Sequence, residues 1–219
     1  MSAAPSESPS SAAGLKARIA PHVVLKLFGI TAFVTVFFFA YFLLQRFPLF
    51  RVTVIPLTAA DRLIPFQPGM LWLYLSLWGY VSLPPTLLTT RPQLYAYGWL
   101  AGAVAVVGLG IFLFWPTSIP ATTGVEWSRY PGFTWLKSVD AAQNACPSLH
   151  VAFAVFSAVW LDRILRTLGG GGWMRPLNAL WCLGIVYSTI ATRQHVALDA
   201  YAGAVLGAAA AAVRPRVLK

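Results

Sequence analysis

Six long apolar stretches, most of them joined by short connections, limit the folds open to this chain. They cover residues 23–44, 70–88, 94–115, 148–165, 173–192 and 195–213, each close to the roughly 20 residues with which a helix crosses a hydrocarbon core. In lipid every backbone N–H and C=O must find its partner within the segment, so such stretches become helices. With 58% hydrophobic and 10% charged residues, against about a quarter charged in soluble domains, the chain is expected to be all-α: a six-span transmembrane helical bundle over residues 21–213. Residues 1–20, rich in Ser, Ala and Pro, are expected to form a disordered cytoplasmic tail, and 214–219 a short basic one. The first stretch is interrupted only by Lys26 and has no small-residue cleavage site, so it reads as a retained anchor. The last is mostly alanine, glycine and valine, and Gly203 and Gly207 suit a helix packed inside the bundle.

The net charge of +10 is scattered among apolar runs and forms no basic stripe, which argues against a nucleic-acid partner. It reads instead as topology. Placing both termini in the cytoplasm puts Lys16, Arg18, Lys26, Arg91, Arg163, Arg166, Arg175, Arg214, Arg216 and Lys219 inside. Arg46, Arg51, Arg62, Arg129, Lys137 and Arg193 then lie outside, and the inner excess favours this orientation. The outer loops 45–69 and 116–147 are the long ones, and the second carries Trp127, Tyr130, Phe133 and Trp135, rings suited to a membrane interface. Cys146 sits at a helix mouth and Cys182 about 15 Å deeper at 1.5 Å per residue, too far apart for a disulfide.

Two of the three histidines lie where apolar helices meet this outer surface. His195 precedes Asp199 by four residues, which puts both on one helix face. A carboxylate one turn inside a span is costly unless paired or wetted, and His195 is the evident partner. His150 follows Pro147 and Ser148, a helix start at which Ser148 caps and the free N–H groups favour an anion. Arg193, in the turn before His195, has a guanidinium fork able to bind phosphate oxygens or lipid head groups. Each feature alone also has a structural explanation: a helix-pinning hydrogen bond, an ordinary cap, an interfacial anchor. His150, His195 and Asp199 also have the residue types of a metal site, but no fourth ligand is evident, and no metal is expected. Residues 169–172 are a flexible inner glycine turn and not a phosphate loop, because no Gly-Lys-Ser/Thr follows.

These segments resemble the type 2 phosphatidic acid phosphatase (PAP2) superfamily, which shares its core fold with vanadium-dependent haloperoxidases. Pro147-Ser148-Leu149-His150 is similar to its Pro-Ser-Gly-His motif, and Ser188, His195 and Asp199 match the spacing of its Ser-Arg…His…Asp motif. Thr189 stands where that motif has arginine, and the Lys…Arg-Pro motif has no counterpart: Arg91-Pro92 has Pro84 at the lysine position and falls on the cytoplasmic side. Leu149, a basic residue just before His195, and the segment from Asp61 to Pro68 resemble the inositolphosphotransferase branch, of the inositol phosphorylceramide synthase type.

The resemblance implies a phosphohistidine mechanism without cofactor. His195 is expected to attack phosphorus, Asp199 to orient its ring, and His150 to protonate the leaving alcohol and then activate water or an acceptor alcohol. Ser148 and Arg193 are expected to bind the phosphoryl group, with Arg129 and Lys137 as the remaining basic candidates. The expected protein is a multi-pass lipid phosphatase or phosphotransferase acting on a lipid-linked phosphate at the exoplasmic face, the periplasmic side of a bacterial inner membrane. Head-group transfer to a lipid alcohol, and non-catalytic binding of lipid phosphates, are the alternatives.

Overall fold

The computed structural model describes residues 16–122, 124–139, 144–168 and 172–213. Most of the expected N-terminal tail, the C-terminal tail, Asp140 and most of the glycine turn lie outside the described residues. The elements in chain order are α1 (Val23–Arg46), β1 (Thr53–Val54), α2 (Ala59–Leu63), α3 (Leu71–Leu75), α4 (Leu77–Leu87), α5 (Arg91–Phe114), β2 (Thr117–Ser118), α6 (Pro131–Val139), α7 (Leu149–Thr167), α8 (Met174–Ala191) and α9 (Ala197–Ala212). The molecule is mostly helical, and each apolar stretch is helical. Among the described residues two helices, α1 and α5, are by length and composition apolar enough to cross a membrane, and α9 is a shorter apolar helix.

The second stretch differs from the single helix expected of it. It enters through a 3-10 turn at Pro68–Met70 and is interrupted at Ser76 between α3 and α4. The Ser76 hydroxyl donates back to the Leu73 carbonyl at 2.6 Å and accepts from the Trp181 indole at 2.9 Å, so a tertiary contact holds the interruption. Pro85, inside α4, cannot donate to the Val81 carbonyl four residues back. The Tyr97 hydroxyl of α5 supplies that bond instead, at 3.2 Å. Residues 16–19, expected within the disordered tail, form a helical turn. Lys26 pins it by donating to the carbonyls of Arg18 (2.7 Å) and Ile19 (3.2 Å), and it reaches Thr86 of α4 at 2.8 Å.

Helix α7 is the axis of the bundle. Ala152, Phe156, Trp160 and Ile164, spaced four apart, face Leu88, Ala101, Val104, Phe112 and Ala211. Ala154, Leu161 and Leu165 face Leu77, Tyr80, Cys182 and Ile185 on the other side. Two apolar faces bury most of the helix, and its charges, Asp162, Arg163 and Arg166, gather in its last turns. Other helix faces instead expose Val24, Phe28, Phe39, Trp99, Val106, Leu180 and Tyr201.

The closest approach in the bundle is between α9 and α7. A Cβ added at Gly203 would lie 2.2 Å from the Ser148 carbonyl oxygen, and one at Gly207 2.2 Å from that of Ala152. Only hydrogen fits at these two points. The double variant Gly203→Ala/Gly207→Ala must push the helices apart, and its expected effect is a loss of about 1–3 kcal/mol per site. Thermal unfolding of the protein in detergent checks this, and an unchanged midpoint would contradict the packing.

Candidate active site

Two helix starts meet at one end of the α7–α9 contact. The Ser148 side chain caps α7 by accepting from the Val151 N–H at 3.2 Å, and the Ser148 N–H donates to the Asp199 carbonyl at 2.9 Å. This ties the first turn of α7 to that of α9. Asp199 is fully buried, with its Oδ1 accepting from the Val196 N–H at 3.1 Å and its Oδ2 lying 3.2 Å from Nδ1 of His195. One carboxylate therefore caps α9 and orients the histidine. The His150 ring stacks on Tyr74 at 4.0 Å, and its centroid lies 6.4 Å from that of His195. Nε2 of His150 is buried and has no hydrogen-bond partner among the described residues.

The turn carrying His195 is held from the first outer loop. Arg193 adopts φ +58°, a left-handed conformation uncommon outside glycine. Its guanidinium donates to the carbonyls of Asp61 at 2.9 Å and Ile64 at 2.8 Å. The Asp61 carboxylate is buried and accepts from the Ala197 N–H at 2.7 Å through Oδ1 and from the Thr58 N–H and hydroxyl, both at 2.7 Å, through Oδ2. The Thr189 carbonyl receives the N–H groups of Gln194 (3.1 Å) and His195 (3.0 Å), which closes the end of α8. Ser188 and Thr189 are buried and donate their hydroxyls within α8, to Ile185 and Val186.

The structure thus brings His150, His195 and Asp199 together, with Ser148 as a cap beside them. Arg193 is close in the chain, but its fork faces protein carbonyls. Arg129 is exposed and paired with Glu126 at 2.5 Å, and Lys137 lies 4.1 Å from the Trp127 ring centroid. None of these three cations lines the cavity that holds the histidines. Among the described residues no three His, Cys, Asp or Glu side chains converge as metal ligands. Burial, and secondarily the Asp199 carboxylate, push the Cys146 thiol above its ordinary range, so it is protonated at neutral pH and a poor nucleophile. Both cysteines are free thiols.

The histidines open onto a cavity of about 810 Å³. Phe33, Phe37 and Tyr41 of α1, Trp78 and Val81 of α4 and Tyr97 of α5 form apolar walls, while Asn144, His150 and His195 lie at one end and Lys26 at the other. His150 stands beside Tyr74 and Lys26 beside Thr86, twelve residues apart across the interruption at Ser76, or about 18 Å at a helical rise.

Tyr74 carries no chemistry-bearing motif of its own, and Asp61, which opens the branch-like segment Asp61 to Pro68, has no individual role in that resemblance. Asp61 had one local signal: in a chain with six acidic residues it stands three after Thr58, the spacing of a capping box.

A helical bundle brings two histidines, one held by a buried aspartate, to the end of an apolar cavity. The chain belongs to the PAP2 superfamily, whose family model matches residues 70–213. Membership suggests phosphatase or phosphotransferase activity. Comparison with curated proteins and with solved structures gives no match.

Asp61→Ala removes three accepted hydrogen bonds and leaves the Ala197 N–H unpaired. A stability loss of about 2–3 kcal/mol is expected, read as a lowered unfolding midpoint in detergent. A wild-type midpoint would mean that Asp61 does not brace the turn.

Proposed function

We propose that the chain is a multi-pass membrane enzyme that removes or transfers a phosphate group on a lipid through a phosphohistidine intermediate. In this reading six spans place both termini in the cytoplasm and the histidines at the exoplasmic face, which is periplasmic in a bacterial inner membrane. One observation carries it: the cavity that holds His150 and His195 continues between apolar helices as far as Lys26. A polar substrate would not need such a chamber, whereas a lipid leaves its chain there while its head group meets the histidines.

His195 Nε2 attacks phosphorus as Asp199 holds the proton on Nδ1 and stabilises the positive ring. The bond to the leaving oxygen breaks, and His150 gives that oxygen its proton. In the second half His150 takes a proton from water, or from an acceptor alcohol, whose oxygen attacks the phosphohistidine. His195 leaves neutral. Head-group transfer uses the same steps with a lipid alcohol in place of water. Leu149, buried against Gly108 of α5, is the branch-like residue that favours it.

The test is an assay of the purified full chain on a small panel of lipid phosphates, with and without inositol-containing lipid acceptors, that measures released phosphate separately from new lipid. His195→Ala is expected to lose at least about 10³-fold in turnover, and His150→Ala about 10²- to 10⁴-fold. An active His195→Ala variant would sink the mechanism. Tight lipid-phosphate binding without turnover, unchanged in that variant, would favour a binding protein instead.

The chamber has its own test. A Cβ added at Gly29 or Gly98, both on its wall, would meet nothing within 4 Å, so a side chain there starts into open space. Gly98→Leu is expected to raise KM several-fold for a long-chain lipid phosphate and to leave a short-chain analogue unaffected. Equal effects on both would argue against chain binding there.

A further inference from the structure

The proposed reaction puts negative charge on phosphoryl oxygens, which then need donors. Thr189 stands where the superfamily's motif has arginine, and its hydroxyl is spent inside α8. Arg193 donates to two carbonyls, Arg129 pairs with Glu126, and Lys137 lies over Trp127.

Asn144 has the missing property. It is 2% exposed, it lines the cavity with His150 and His195, and its side-chain Nδ2 is buried with no hydrogen-bond partner among the described residues. Its φ of +58° lies in the left-handed region that asparagine tolerates better than most residues. The segment after it is anchored, because Thr117 of β2 accepts from the Ala145 N–H at 3.2 Å through its carbonyl and from the Cys146 N–H at 2.8 Å through its hydroxyl. Thr117 is itself fully buried. A buried amide without an acceptor is costly, and such groups persist where a ligand completes them. The position is fixed and the donor is unused.

We propose that Asn144 donates from Nδ2 to a non-bridging oxygen of the phosphoryl group held between His150 and His195. This rests on the phosphoryl-transfer reading above. As a neutral donor it strengthens as charge develops on that oxygen in the transition state, so its contribution falls on kcat more than on KM.

The experiment compares the full-length wild type with Asn144→Ala, Asn144→Asp and His195→Ala, measuring turnover of lipid phosphate, orthovanadate binding by calorimetry, and thermal unfolding. Asn144→Ala is expected to lose about 10²-fold in kcat with little change in KM, to bind orthovanadate at least about tenfold more weakly, and to unfold only slightly earlier than wild type, by the strain of alanine at a φ of +58°. Asn144→Asp, nearly isosteric, is expected to lose more than Asn144→Ala, because a carboxylate would face the anion. Wild-type kcat and orthovanadate affinity in Asn144→Ala, beside an inactive His195→Ala, would overturn the inference and leave the reading intact. A lowered unfolding midpoint with unchanged orthovanadate affinity would overturn it in favour of a structural role. Failure of the wild type to bind orthovanadate or turn over any lipid phosphate would overturn both.

Discussion

The contact between α7 and α9 is the constraint on which the site depends. Gly203 and Gly207 let the two backbones close to a distance no side chain permits, and the Ser148 N–H uses that proximity to reach the Asp199 carbonyl. Two helix starts then stand side by side. His150, in the first turn of α7, and His195, just before α9, end with ring centroids 6.4 Å apart. Their separation is set by the packing of the two backbones.

The few charges inside the bundle are satisfied mainly by backbone groups. Lys26 donates to three carbonyls, Arg193 to two, and Asp61 and Asp199 accept from N–H groups at the start of α9. A buried charge is costly unless fully hydrogen-bonded, and helix ends and turns offer unpaired backbone groups at fixed places. Lys26 thereby ties the chain's beginning to α1 and α4, while Asp61 and Arg193 bind the first outer loop to the His195 turn. The same bonds turn Arg193 away from the cavity, although its place in the chain suits a phosphate ligand.

Local patterns were legible, and long-range ones were not. The apolar stretches became helices close to their expected bounds, and the cap at Ser148 and the His195–Asp199 pair followed from spacings of three and four residues. The interruption at Ser76 was hidden because the Trp181 indole supports it from another helix. The turn at residues 16–19 was hidden because its composition reads as tail and only Lys26 orders it. Asp61 caps locally through Thr58, but its hold on the start of α9 is a bond to the Ala197 N–H across 136 residues, and Asn144 is notable only for what its amide lacks once it is buried.

The sequence by itself determined the helices and the orientation of His195 by Asp199, because backbone hydrogen bonding in apolar segments and the i, i+4 geometry act within one or two turns. It also determined, through the motif spacing, the superfamily to which the chain belongs. Tertiary structure alone decided that His150 and His195 share one cavity, that this cavity continues to Lys26, and that Arg193 serves the scaffold while the Asn144 Nδ2 has no partner among the described residues. Those outcomes depend on which backbones approach closely enough to exchange hydrogen bonds, and that is settled by packing between segments far apart in the chain.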